Sequence, residues 1–240
     1  MKILSIGNSF SQDAQRYLHS LGEVNGKNIK CVNLYIGGCT LRQHYLNLLD
    51  DEKSYKFEYN GSDTGIQISI KEALKSDEWD YVTIQQASHK SFDFDTYIPY
   101  IQKLKEYVET YSPKSKIALH QTWAYPENKN RIKEVGFNST REMYEAVREA
   151  YLKAEELICP DTVIKSGEAM MQAYNKFGNN LYRDDIHASL GIGRYLLGYV
   201  WYKTLIGELP KNDVKCFDVE LTNEQMQMIR KTVCTVLTCS

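Results

Sequence analysis

Short β-type runs alternate with amphipathic stretches along this chain, and that alternation constrains the fold more than any other feature. The runs cover residues 2–6, 29–36, 80–84, 116–119 and 162–164. Between and after them come helix-type segments at 11–24, 41–49, 97–111, 139–158 and 189–206. A strand–helix rhythm of this kind predicts a parallel sheet covered by helices on both faces, because each strand must cross over to rejoin the sheet in the same direction. Residues 55–68 break the rhythm with two alternating segments about Asn60-Gly61, the signature of a small hairpin insertion.

Five such strands predict an α/β fold, a three-layer α/β/α sandwich with a flavodoxin-like, five-stranded parallel sheet. Right-handed crossovers then place the functional crevice at the carboxyl ends of the strands. The chain reads as a single domain over 1–240, with its core in 2–206 and a helical extension at 207–240. In that extension Met226, Ile229, Val233 and Leu237 form an apolar stripe, which either docks on the body or meets another copy in a homo-oligomer.

Composition removes several classes of function. The chain has 240 residues, 42% hydrophobic and 25% charged, which is an ordinary globular profile. Its 29 basic and 31 acidic side chains leave a formal net charge of −2, no footprint for nucleic acid or an anionic membrane. The 18 tyrosines suit sugar-binding loops and equally suit sheet and helix surfaces. No apolar h-region follows Lys2, and no apolar run approaches the roughly 20 residues of a membrane span, so a cytoplasmic location is expected. Cysteines 31, 39, 159, 216, 234 and 239 lack C-x-x-C spacing and are expected to be reduced and mostly buried. Histidines 19, 44, 89, 120 and 187 are scattered, nucleotide and zinc motifs are missing, and Gly191-x-Gly193 lies inside a helical pattern. Neither a metal nor a cofactor is expected.

Polar residues at strand ends carry the chemistry. Ser9 follows the first strand and precedes the first helix, near unpaired backbone N–H groups and the positive end of the helix dipole. That position suits a nucleophile, and it equally suits a helix N-cap, although Ser11 could take the cap and leave Ser9 free. Asp184 and His187 are three residues apart before the last body helix. The carboxylate can accept from Nδ1–H and leave Nε2 to take a proton; otherwise Asp184 caps the helix entry and His187 packs. Gly37-Gly38 after the second strand either lets a backbone N–H approach an oxyanion or only makes a turn. Gln85 and Gln86 end the third strand, where an amide faces either the crevice or solvent.

In combination these elements resemble the SGNH (GDSL-like) hydrolases: Gly-x-Ser early, Gly after strand two, an amide after strand three, Asp-x-x-His late. More narrowly, Gly7-Asn8-Ser9-Phe10-Ser11, Tyr35-Ile36-Gly37-Gly38-Cys39, Trp79-Asp80-Tyr81-Val82-Thr83, Ile84-Gln85-Gln86-Ala87-Ser88 and His120-Gln121-Thr122-Trp123-Ala124-Tyr125 are similar to a bacterial SGNH subgroup known only as a domain of unknown function. The resemblance implies Ser9 as nucleophile, His187 as general base and Asp184 as the acid that orients it. It also implies oxyanion donors at the backbone N–H groups of Ser9 and Gly38. Asn8 stands where the GDSL pattern has Asp, a change expected not to touch the chemistry. The Gly-x-Asn-Asp block is replaced by Gln85-Gln86-Ala87-Ser88, so the third oxyanion donor is expected from Gln86, with Gln85 second. Gln85, His120, Gln121 and Trp123 are expected to contact substrate, and the aromatic loop Trp123 to Tyr125 to stack on a sugar ring.

The expected activity is hydrolysis of small acyl esters, acetyl esters of carbohydrate above all, through an acyl-enzyme. A longer-chain esterase or thioesterase is the rival among enzymes. A binding module that kept the fold and lost turnover is the rival outside them.

Overall fold

The computed structural model describes residues 1–214 and 218–238. Its sheet has seven strands: β1 (Lys2–Gly7), β2 (Lys30–Tyr35), β3 (Tyr55–Tyr59), β4 (Ser62–Ile68), β5 (Tyr81–Ile84), β6 (Lys116–His120) and β7 (Thr162–Ile164), in the order β4-β3-β2-β1-β5-β6-β7. Strands β2, β1, β5, β6 and β7 are parallel, the five runs read from the sequence. The central β1 is buried at Ile3, Leu4 and Ile6, as a strand with helices on both faces must be.

One expectation needs correcting. Residues 55–68 form the expected hairpin, but β3 pairs antiparallel with β2 and β4 with β3, so the sheet is mixed and seven-stranded instead of parallel and five-stranded. The hairpin occupies the outer edge of β2, whose N–H and C=O groups would otherwise face water as an open template. Buried Tyr55 fastens it to the core.

The helices are α1 (Ser9–Gln15), α2 (Leu18–Val24), α3 (Leu41–Leu49), α4 (Ile70–Lys75), α5 (Tyr100–Tyr111), α6 (Asn130–Glu134), α7 (Thr140–Ile158), α8 (Ser166–Phe177), α9 (Ile192–Ile206) and α10 (Asn223–Thr238). The segment expected as one helix over 11–24 is divided at Arg16 and Tyr17 into α1 and α2, and α8 was not expected at all. One helical group packs α1 and α2 on α9 and α9 on α8; the other packs α3 on α5 and α5 on α7. The stripe of α10 buries Ile229 and Val233 against the same core, where the helix packs on α8 and α9.

Among the described cysteines Cys31 and Cys39 are buried, Cys159 is exposed, Cys234 is half-buried, and none forms a disulfide. Cys216 and Cys239 lie outside the described residues. No helix of the described residues is long and apolar enough to cross a membrane.

Candidate active site

Strand β1 delivers the chain to Gly7, where a side chain could not fit: a Cβ would lie 1.9 Å from Ser11 Oγ. Asn8 then caps α1, its Oδ1 accepting from Phe10 N at 2.9 Å, while Ser11 Oγ accepts from Asn8 N at 3.0 Å. This reciprocal capping box satisfies first-turn donors without Ser9. The Ser9 hydroxyl is therefore free of the cap and lies 2.9 Å from His187 Nε2.

His187 Nδ1 lies 2.8 Å from Asp184 Oδ2. Asp184 Oδ1 accepts from the backbone N–H of Ile186 at 2.9 Å and of His187 at 2.7 Å, which fixes the turn between the two residues. Burial pushes the Asp184 carboxyl up, but the two backbone donors and the imidazole outweigh it and hold the group below the usual carboxylate range. A carboxylate only accepts, so the Nδ1 proton belongs to the histidine and Nε2 presents its lone pair to Ser9. The structure thus brings Ser9, His187 and Asp184 into one relay.

The backbone N–H groups of Ser9 and Gly38 have no hydrogen-bond acceptor among the described residues. Gly38 has φ 63°, a left-handed conformation that costs a side-chain-bearing residue energy, and the space beside it is open. Asn8 Nδ2 donates to Cys39 O at 3.2 Å and so ties the Ser9 turn to the Gly38 loop. An aspartate could not make that bond, so Asn8 contributes to the architecture of the site.

The remaining side-chain assignments need correction. Gln86 Nε2 gives its hydrogens to Thr96 O and Thr96 Oγ1, and its Oε1 accepts from Leu41 N and Ala87 N. It has nothing left for an oxyanion. Gln85 is buried, with Nε2 donating to Asn8 Oδ1 at 2.8 Å and Oε1 2.6 Å from His120 Nδ1. His120 is fully buried, closes the chain on Ser166 Oγ at 3.0 Å, and has its pKa pushed down to about 3 by burial. Gln121 accepts from Glu168 N at 3.0 Å in the first turn of α8. Trp123 is wholly buried, donates to Ile186 O at 3.0 Å, and stacks on Phe10 with centroids 4.0 Å apart. Gln85, His120, Gln121 and Trp123 therefore support the site from behind and do not line its cavity.

That cavity has a volume of about 340 Å³. Ser9, Gly38 and His187 line it together with Phe10, Tyr35 and Ile186; Ser88, His89, Tyr125 and Arg131 complete the polar wall. Ser88 Oγ and Tyr125 OH are 2.8 Å apart. His89 and Arg131 escaped sequence reasoning, and Ser88 was noted only as part of a replaced block.

A second omission is Asp13, one turn beyond Ser9 and fully buried. Arg183 NH1 donates to both of its oxygens at 2.8 Å, Arg194 Nε donates at 2.8 Å, and Ala188 N at 3.2 Å. Arg183 also donates to Ala188 O. One carboxylate thus binds the helix of Ser9 to both ends of the turn that carries Asp184 and His187. Among the described residues no group of three or more His, Cys, Asp or Glu could hold a metal ion.

The family model described as Domain of unknown function (DUF4886) matches residues 2–234. Among solved structures, a DUF4886 family protein from Bacteroides uniformis ATCC 8492 is 29% identical with a TM-score of 0.86, over 100% of this chain and 96% of that one. A Slackia heliotrinireducens protein, proposed to be an SGNH hydrolase, is 21% identical with a TM-score of 0.61, over 85% and 98%. The acetyl xylan esterase AlAXEase is 14% identical with a TM-score of 0.56, over 85% and 98%. No curated protein matches the chain. The fold is that of the SGNH hydrolases.

Proposed function

This chain belongs to the DUF4886 family, and from its SGNH fold and the relay at its crevice we propose that it is a serine esterase acting on small acyl esters. His187 takes the Ser9 proton through Nε2, and Ser9 Oγ attacks the ester carbonyl. The carbonyl oxygen becomes negative and is held by the N–H groups of Ser9 and Gly38, which meet no other acceptor among the described residues. His187 then protonates the departing alcohol, leaving acyl-Ser9. Water, deprotonated by the same imidazole, releases the acid. Asp184 keeps its charge throughout and holds the ring's orientation.

The observation that carries this reading is the Ser9–His187–Asp184 geometry, 2.9 Å and 2.8 Å. A cavity of about 340 Å³ lies at the small end of ligand pockets, which favours acetyl over long acyl chains. The structural likeness to an acetyl xylan esterase supports carbohydrate as the alcohol.

Hydrolysis of p-nitrophenyl acetate, butyrate and octanoate, beside acetylated xylo- and manno-oligosaccharides, tests it. Rates falling from acetate to octanoate, with acetate released from an oligosaccharide, are expected. Octanoate as the best substrate would make it a longer-chain esterase, and inertness towards every ester would leave a binding module.

A further inference from the structure

We propose that the ester this site takes is anionic, carrying a carboxylate or phosphate group that Arg131 receives inside the catalytic cavity. The inference rests on the esterase reading and names its substrate class.

Among the described residues that line the cavity, Arg131 carries the one permanent charge, and no Asp or Glu lines it at all. The chain as a whole has a net charge of −2, so a cavity of the opposite sign is a local arrangement and not the average surface. The relay's own carboxylate, Asp184, stands behind His187.

The guanidinium acts on its neighbours in the cavity. Burial pushes the Tyr125 hydroxyl up, and contacts from Ser88 and then Arg131 restrain that rise. Burial lowers the His89 pKa, and the positive charges of Arg131 and Lys90 lower it further. His89 is thereby kept neutral and offers a ring N–H instead of a second charge.

Arg131 is not used up elsewhere. Among the described residues its ion pair is with Glu134 at 2.9 Å, and both side chains are about half exposed (44% and 57%). Exposed pairs of this kind are weak, and a guanidinium has five donors in a planar fork that matches a carboxylate or phosphate. Ser88, Tyr125 and His89 supply the neutral donors such a group also needs.

The test compares O-acetyl esters of methyl glucoside, methyl glucuronide and glucose 6-phosphate on the full chain. The expected kcat/KM is about tenfold higher for at least one charged sugar than for the neutral one, a difference that shrinks as salt is raised. The better charged sugar identifies the group. Arg131→Gln should bring the charged-to-neutral ratio close to one, and Glu134→Gln should raise it; each ratio is read on one protein, so a loss of folded enzyme cancels. A wild-type ratio at or below one, or a ratio that Arg131→Gln leaves unchanged, overturns the proposal and leaves the esterase reading standing. If acetate is released from none of the three, nor from p-nitrophenyl acetate, the esterase reading itself fails.

Discussion

Ser9 opens α1 with its hydroxyl 2.9 Å from His187 Nε2, while Asn8 and Ser11 satisfy the first-turn amides around it. A base in this position works only when neutral, so kcat/KM should be lost on the acid side as the imidazole takes up a proton. Asp184, held below the usual carboxylate range by its hydrogen bonds, keeps its charge while the imidazole gains that proton. The acid limb should therefore follow a single proton; a flat profile, or one that fits only two protons, would count against the assignment. The relay was legible in the sequence because each piece is local: a Gly-x-Ser turn, and an Asp and a His three residues apart. The supporting side chains were not. A place at the carboxyl end of a strand says nothing about which partner a side chain finds. Gln86 found Thr96, His120 found Ser166 and Trp123 found Ile186, all on other segments of the chain. The oxyanion role expected of Gln86 and the share of Trp123 in the stacking loop failed for that reason, while Tyr125 of the same loop does line the cavity.

At the scale of elements the site depends on α1 keeping its register with the turn at 183–188, and Asp13 holds the two together. Replacing Asp13 with Ala would leave Arg183 and Arg194 without their buried acceptor, a loss on the order of 3 kcal/mol. Thermal unfolding should fall by roughly 10 °C, and kcat should drop more than KM rises, because the relay loosens while the cavity wall stays. An unchanged kcat in the folded variant would show that the clamp has no part in turnover. Asp13 was invisible beforehand because its partners lie 170 and 181 positions away. Elements fared unevenly for similar reasons. The five parallel strands announce themselves as apolar runs. The hairpin at Asn60-Gly61 was legible as a hairpin, but its place beside β2 is a tertiary fact. Helix α8 escaped because its buried face is built from small residues and methionines (Ala169, Met170, Ala173), a weaker signal than Ile101, Leu104 and Val108 of α5 or Val147, Tyr151 and Ile158 of α7.

Across the whole molecule, the hairpin carries a buried carboxylate into the sheet edge beneath the Ser9 turn. Glu58 accepts from Asn33 Nδ2 at 2.7 Å and from Gln12, Asn33 Oδ1 accepts from Ser11 Oγ at 2.8 Å, and Ser11 closes the Asn8 box. Burial raises the Glu58 pKa above its ordinary 4.5, with the amides of Asn33 and Gln12 restraining the rise. For an acid so shifted, the folded chain binds more protons than the unfolded chain between the two values. Its contribution to stability therefore grows as pH falls through that window and is complete below the unfolded value. Relative to Glu58→Gln, the wild type should gain stability in denaturant titrations as pH is lowered from 7 towards 4.5; a constant or reversed difference would contradict the burial argument.

The proposed reaction passes through one covalent bond between substrate and Ser9. Intact-mass measurement after exposure to a fluorophosphonate ester tests it most directly, since such reagents phosphonylate an activated serine. A single adduct on the peptide 2–15, absent from Ser9→Ala together with a loss of p-nitrophenyl acetate turnover on the order of 10³-fold, is the result expected. An adduct on another residue, or a Ser9→Ala protein that still turns over at a near-normal rate, would contradict the account.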